Sequence, residues 1–95
     1  MAGGADWDVV SYVFSSDVRA RVLEILRAQK ATPSQIAKRL SQPISHISRA
    51  LHELQAKKLV ILLTPSRTKA RLYEVTAQGR EVSDKVAVLK GGKGS

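Results

Sequence analysis

Cysteine, aromatic residues and long apolar runs are absent from this chain or rare in it. It contains no cysteine in 95 residues, which excludes disulfide bonds, thiolate metal sites and cysteine nucleophiles. Aromatic residues make up only 4% of it, too few for the stacking platform of proteins that bind single-stranded nucleic acid. It has no apolar run near the roughly 18 residues of a membrane span, and residues 1–6 lack the basic start and apolar stretch of a signal peptide. We therefore expect a soluble, intracellular protein that does not associate with membranes.

Catalytic and cofactor motifs are also missing. Thr64, Ser66 and Thr68 have no arrangement of histidine and aspartate around them, and there is no glycine-rich phosphate loop. His46 and His52 would lie about 120° apart around a helix, and no carboxylate or cysteine cluster completes a metal site. The sequence predicts no enzyme activity, no metal and no cofactor.

Acidic residues are nearly absent from the middle of the chain. From Ala28 to Tyr73, nine lysines and arginines face one acid, Glu53, so this segment carries a net +8, which equals the formal charge of the whole protein. We call residues 28–73 the basic block. Its basic residues are Lys30, Lys38, Arg39, Arg49, Lys57, Lys58, Arg67, Lys69 and Arg71. A basic block between neutral flanks indicates a surface that meets a polyanion, and nucleic acid is the first candidate.

The length and the 43% apolar content are those of one ordinary globular domain. We expect this domain to span residues 7–90. The glycine-containing ends, residues 1–6 and 91–95, have little to bury and are predicted to be flexible.

Apolar spacing and capping residues predict four helices, at about 16–28, 33–41, 45–57 and 77–90. Ser15 or Ser16 would cap the first. Residues 32–35, Thr-Pro-Ser-Gln, form a capping-box pattern with proline at the first helical position of the second. Thr76 would cap the last, in which Gly79 is a mild weakness. Residues 7–14 fit a further short helix, although their β-branched residues leave an extended conformation open.

The third predicted helix has two distinct faces. Ile44, Ile47, Leu51 and Leu54 share one face, which we expect to be buried. The period then changes, and strands at about 59–64 and 70–75 are predicted to form a β-hairpin with a basic tip. In the last helix, a stripe that contains Val82, Val86 and Leu89 either covers the core or pairs with a second copy of the chain.

This order describes a mainly α fold with a small β-hairpin (α+β), namely a helix-turn-helix followed by a wing. Residues 32–37, 44–54, 58–60 and 72–79, which read TPSQIA, ISHISRALHEL, KLV and LYEVTAQG, resemble the winged helix-turn-helix transcriptional regulators of the MarR and ArsR type, especially the small archaeal ones. The resemblance covers roughly Trp7 to Leu89. It implies a homodimer that binds operator DNA.

Two departures from that family are visible. Ser41-Gln42-Pro43 stands in the turn between the helices where relatives often have glycine. Lys57-Lys58 stands where a glycine commonly precedes Leu-Val. Either departure can alter the approach of the third helix, and neither is expected to break the fold.

Candidate base-reading residues lie on the third helix. The planar guanidinium of Arg49 matches the O6 and N7 acceptors of guanine, whereas its alternative is a solvated surface arginine. Ser45, His46 and Ser48 at the helix start suit phosphate oxygens and base edges, unless one of the serines serves only as a cap. His52 lies one turn after Arg49 on the polar face.

Other basic residues are candidates for backbone contacts. Arg67, Lys69 and Arg71 bracket the hairpin turn and are predicted to contact phosphates or the minor groove; the alternative is a charged edge that prevents aggregation. Lys38 and Arg39 would anchor the second helix on the DNA backbone. Lys57 and Lys58, by contrast, are expected only to complement the dipole of the third helix.

The sequence therefore predicts a sequence-specific regulator of transcription that binds double-stranded DNA in the cytoplasm, at the nucleoid. It would act as a homodimer through its N-terminal segment and C-terminal helix. Two alternatives remain open at this stage: an architectural DNA or chromatin binder without sequence preference, and a winged-helix module that binds other proteins.

Overall fold

The computed structural model describes residues 7–64 and 71–91, which form five helices and one two-stranded antiparallel sheet. The elements are α1 (Trp7–Phe14), α2 (Asp17–Ala28), α3 (Pro33–Leu40), α4 (Ile44–Ala56), β1 (Val60–Leu62), β2 (Tyr73–Val75) and α5 (Ala77–Gly91). The predicted winged helix-turn-helix is confirmed, with α3 and α4 as the helix-turn-helix and β1–β2 as the wing. No helix within these described ranges is long and apolar enough to cross a membrane.

The first segment, which the sequence left open, is a helix. Val10 and Val13 of α1 are fully buried, while Trp7 and Phe14 remain 59% and 44% exposed. The β-branched valines are tolerated because α1 packs against α5 and α2, and tertiary burial outweighs their weak helix propensity.

The predicted caps of α2, α3 and α5 are confirmed in atomic detail. The Ser16 side chain accepts a hydrogen bond in the first turn of α2. Thr32 and Gln35 form a complete capping box: the Gln35 amide nitrogen lies 3.2 Å from Thr32 Oγ1, and the Thr32 amide nitrogen lies 2.9 Å from Gln35 Oε1. Thr76 Oγ1 accepts a hydrogen bond from the Gly79 amide at 2.9 Å, so it caps α5.

The core lies where α2 crosses α4 and where α5 closes over both α1 and α2. It is built from aliphatic side chains, and its largest fully buried members include Leu23, Leu26, Ile36, Ile47, Leu51, Leu54, Leu59 and Tyr73. The predicted buried face of the third helix is confirmed for Ile47, Leu51 and Leu54, but Ile44 is 51% exposed. Ile44 is the first residue of α4, where the helix has only begun to cover the core.

The wing strands are shorter than predicted. Val60 pairs with Val75 and Leu62 with Tyr73. Leu59 does not extend the first strand, because its amide donates to Leu54 O at 3.0 Å and thereby closes α4. Residues 65–70, which contain the start of the second predicted strand, lie outside the described residues.

A third extended segment, which the sequence did not reveal, joins the hairpin. Ala31, between α2 and α3, exchanges two backbone hydrogen bonds with Tyr73, at 3.2 and 2.9 Å. The wing is thus tied to the helix-turn-helix through its buried strand β2. One isolated bridge has no alternating pattern of its own, so the sequence carries no signal for it.

Gly79 is not the mild weakness that the sequence indicated. A Cβ at this position would collide with the carbonyl oxygen of Leu59 and would lie 2.7 Å from Val75 Cγ2. The first turn of α5 therefore touches the hairpin backbone, and only glycine fits. Farther along α5, Val82 and Val86 cover the core, while Leu89 is 45% exposed.

Candidate nucleic-acid interface

Helix α4 presents a polar side opposite its buried one. Ser45, His46, Arg49 and His52 are exposed, and Ser48 is half-buried. At about 100° per residue, Ser45, Arg49 and His52 lie along the centre of the side that faces away from Ile47. His46 lies on the flank of α4 nearest to α2, and Ser48 lies on the other flank.

The hydroxyl groups of Ser45 and Ser48 do not cap the start of α4. Pro43 occupies the N-cap position and no side chain caps the helix. Neither Ser45 nor Ser48 therefore serves as the cap, which the sequence had left as an alternative for one of them. The helix also begins at Ile44, one residue earlier than predicted, because the Pro43 carbonyl accepts hydrogen bonds from the His46 and Ile47 amides at 3.0 and 3.3 Å and so closes the first turn.

A groove of about 260 Å³ runs between the start of α2 and the flank of α4 that carries His46. Its lining includes His46 and Arg49 from α4 together with Ser16 and Arg19 from the start of α2. The structure thus brings two of the predicted reading residues together, and adds Arg19, which the sequence did not single out.

Arg19 makes the densest set of polar contacts in the described part of the chain. Its Nη1 atom lies 3.0 Å from Glu53 Oε1, so it forms an ion pair with the acid of the basic block. Its Nε and Nη2 atoms donate to the Tyr12 carbonyl at 3.1 and 2.7 Å, and Nη2 also donates to Ser15 Oγ at 3.2 Å. The guanidinium carbon lies 3.9 Å from the centre of the Tyr12 ring.

The Tyr12 ring also connects α1 to the end of α4. The Lys57 ammonium lies 5.0 Å from the ring centre, on the same flank of α4 as Glu53. This cation–π contact goes beyond the role in the helix dipole that the sequence indicated for Lys57.

The two cations of α3 are placed differently. Lys38 and Arg39 are both exposed. Arg39 lines a separate groove of about 620 Å³ with Arg21 and Ile25 of α2 and Lys90 of α5. No residue of α4 lines that groove, so the structure does not group Arg39 with the predicted reading residues.

Arg71, the wing candidate within the described residues, is half-buried and lies two residues before β2. The neighbouring Leu72 amide donates to Thr64 Oγ1 at 3.0 Å, which extends the hairpin by a side-chain contact. Arg67 and Lys69, predicted to contact phosphates, lie outside the described residues.

The cations of the basic block and those of its flanks differ in their ion pairing. Three of them join residues of the flanks: Arg21 with Asp17, Arg27 with Asp84, and Lys90 with Asp17. Across residues 7–64 and 71–91, no lysine or arginine of the basic block pairs with a carboxylate. Positive charge that is not neutralised inside the protein remains available to an external polyanion.

Metal-binding side chains do not cluster in the described ranges. No group of three or more histidine, aspartate or glutamate residues is close enough there to hold an ion. His46 and His52 project to different parts of the α4 surface, as their spacing requires.

No protein-family model and no curated protein matches the chain. Among solved structures, the reduced form of MarR from E. coli matches with a TM-score of 0.73 and 26% identity, over 90% of this chain and 65% of that one. ZitR from Lactococcus lactis matches with a TM-score of 0.70 and 21% identity, over 80% of this chain.

The structural neighbours are winged-helix regulators of the MarR family. They also include MepR from S. aureus in a complex with DNA, with a TM-score of 0.70 and 21% identity over 88% of this chain and 72% of that one. The chain spans only 53% of the ZitR chain and 57% of the adhesin competence repressor of Streptococcus pyogenes. These MarR-family structures come from bacteria, so they give no support to the archaeal part of the resemblance.

Proposed function

We propose that this chain is a sequence-specific regulator of transcription that binds double-stranded DNA as a homodimer, with α4 in the major groove. The observation that carries the proposal is the exposed row of Ser45, Arg49 and His52 on a helix whose opposite side is fully buried. The major groove of B-form DNA, about 12 Å wide, admits one α-helix, and its base edges present a distinct donor and acceptor pattern for each base pair.

Each predicted contact has a role in this proposal. Arg49 donates two hydrogen bonds to one guanine, and His52 contacts bases or phosphates one turn later. Ser45, His46 and Ser48 bind phosphates or base edges near the helix start. Of the two α3 cations, Lys38 is the stronger candidate for a phosphate contact, since Arg39 lines the separate groove beside Arg21.

The wing would contact the flanking backbone or the minor groove through Arg67, Lys69 and Arg71. Arg71 is half-buried and lies two residues before β2, so its contact would be made close to the sheet. That MepR was solved on DNA with the same fold supports this general mode of docking.

A homodimer would place two copies of α4 in successive major grooves, about 34 Å apart along the DNA. Exposed apolar side chains on α1 and α5 support such an interface. They are Trp7, Phe14, Val88 and Leu89, with exposures of 59%, 44%, 73% and 45%. Helices α1 and α5 pack against each other, so these side chains belong to one part of the molecule.

The central test is selection of binding sites from a random DNA pool, followed by binding measurements with Arg49→Ala. We expect this variant to lose about 10- to 100-fold in affinity for the selected site and to relax the preference at one base pair. Arg80→Ala is the matched control, because Arg80 is an exposed arginine on α5 outside the basic block, and it should bind within about twofold of the original chain. If Arg49→Ala keeps the full base preference, α4 does not read the site through Arg49.

A salt titration distinguishes the proposal from architectural binding. A regulator should prefer its selected site over a random duplex by roughly a thousandfold, with a larger electrostatic share in the binding of random DNA. Equal affinities and equal steep salt slopes on both duplexes would instead identify an architectural protein. Absence of duplex binding at moderate salt would point to a protein-interaction module.

A further inference from the structure

We propose that Arg19 is a positioning residue for the DNA-facing side of α4: it holds the Glu53 carboxylate against α2 and so keeps Arg49 free to meet DNA. This inference rests on the proposed function. Arg19 lies outside the basic block, and we predict no direct contact between Arg19 and DNA.

Glu53 is the one acid of α4, and it stands four residues after Arg49. At that spacing two side chains lie only about 40° apart around a helix, which is the usual geometry of an ion pair within a helix. Glu53 therefore has two possible arginine partners, Arg49 on its own helix and Arg19 on α2, while the ammonium of Lys57, four residues later, lies over the Tyr12 ring. In the structure it pairs with Arg19, at 3.0 Å.

The choice of partner has consequences for DNA binding. If Glu53 paired with Arg49, the guanidinium would have to break that ion pair before it could bind a guanine or a phosphate. A carboxylate turned toward the DNA would also repel the phosphates, since like charges at close range disfavour association. Pairing with Arg19 removes both penalties.

Arg19 is built to hold this position. Its side chain is only 15% exposed, and its other donors are bound to the Tyr12 carbonyl and Ser15 Oγ. The Tyr12 ring covers the guanidinium at 3.9 Å. A guanidinium fixed by α1 and α2 in this way cannot reach a phosphate itself, so any effect that Arg19 has on DNA binding acts through Glu53.

The sharpest test compares Glu53→Asp with Glu53→Gln, because both leave Arg19 and its contacts with Tyr12 in place. Aspartate keeps the charge but is one methylene too short to reach Arg19, whereas glutamine removes the charge and retains the length. We expect Glu53→Asp to lose about tenfold in affinity for the selected duplex at low salt and Glu53→Gln to lose less than threefold. The difference should shrink as salt rises, because screening weakens it. A purely structural ion pair predicts losses of similar size in both variants, and that result would overturn the proposal.

A second arm removes Arg19 itself. Arg19→Gln should lose affinity as Glu53→Asp does, and the double variant Arg19→Gln with Glu53→Gln should recover at least threefold over Arg19→Gln alone. A double variant as weak as Arg19→Gln would contradict the proposed role, since no carboxylate remains in it to be held away.

A readout without DNA separates this proposal from the proposed function. The NMR signal of the Arg49 side-chain Nε–H in the free protein should shift in Glu53→Asp, when the carboxylate turns to Arg49, and should return in Glu53→Gln. If the original chain binds no duplex, the proposed function fails while this signal still decides which arginine Glu53 prefers. An Arg49 signal that is identical in all variants would overturn the role of Arg19.

Discussion

At the scale of single residues, Ser41 and Lys58 adopt a backbone conformation that glycine reaches at the lowest cost. Their φ angles are 54° and 64°, in the left-handed region. Each lies at a helix end that is closed by the same kind of hydrogen bond: the Gln42 amide donates to Ala37 O at 3.0 Å, and the Leu59 amide donates to Leu54 O at 3.0 Å. The two departures from the family pattern therefore keep the turn geometry that glycine would give, at an energetic cost.

Replacement of Lys58 by glycine should therefore stabilise the protein. A side chain in the left-handed region costs about 1 to 2 kcal/mol, part of which is offset because glycine loses more backbone entropy on folding. We expect Lys58→Gly to raise the free energy of unfolding by about 0.5 to 1 kcal/mol. Urea denaturation followed by circular dichroism measures this change.

The neighbouring lysine provides a matched control. Lys57 has a φ of −89°, which any residue adopts, so Lys57→Gly gains nothing from the turn. It should destabilise by about 1 kcal/mol through backbone entropy and the lost contact with the Tyr12 ring. Equal effects of the two substitutions would show that the turn at Lys58 carries no strain.

Sequence reasoning reached the exposed residues of α4 but not the ion pair that organises them. The helical period alone places Arg49 and His52 on the side away from Ile47, and the structure agrees. Arg19 and Glu53, by contrast, are 34 residues apart, and no local pattern links them. The signal that could have found the pair is the lone acid of the basic block, since a partly buried carboxylate requires a cationic partner.

At the scale of elements, the starts of the side-chain-capped helices were predictable and the strand limits were not. Ser16, the Thr32 capping box and Thr76 act over three residues, so their sequence pattern is sufficient. The hairpin limits depend on how α4 ends, and the amide of Leu59 is used for that end rather than for the sheet. Strand length was therefore set by a neighbouring element and not by the apolar run itself.

The contact between α5 and the hairpin gives a second prediction. Gly79→Ala would gain up to about 1 kcal/mol of helix propensity. The added Cβ, however, meets the Leu59 carbonyl and Val75 Cγ2, and a backbone carbonyl cannot move aside as a flexible side chain can. We expect a net loss of about 2 kcal/mol, because overpacking outweighs propensity. Thermal unfolding measures it.

Gly91, in the last turn of the same helix, is the control for this substitution. A Cβ there meets no atom within 4 Å. Gly91→Ala should therefore change the free energy of unfolding by less than about 0.5 kcal/mol, and we expect the change to be an increase because alanine favours the helix. If Gly79→Ala were as well tolerated as Gly91→Ala, α5 would not approach the hairpin as closely as described.

At the scale of the whole molecule, charge and apolar surface are separated. The described cations of the basic block are free of intramolecular ion pairs, whereas in the flanks Asp17 pairs with both Arg21 and Lys90, and Asp84 pairs with Arg27. The exposed apolar side chains of α1 and α5 lie in those neutral flanks. Low net charge and exposed apolar area together favour contact with another protein surface, and a second copy of the chain is the simplest one.

The last prediction concerns that contact. We expect sedimentation equilibrium to give a dimer for the original chain and a shift toward monomer for Trp7→Ser combined with Val88→Lys, because these changes remove the two most exposed apolar side chains of the flanks. Ile61→Ser is the control, since Ile61 is likewise an exposed apolar residue, at 45%, but lies on the wing strand β1. If Ile61→Ser dissociates the dimer and the flank variant does not, the copies meet through the wing, and two α4 helices could not be presented side by side to one DNA duplex.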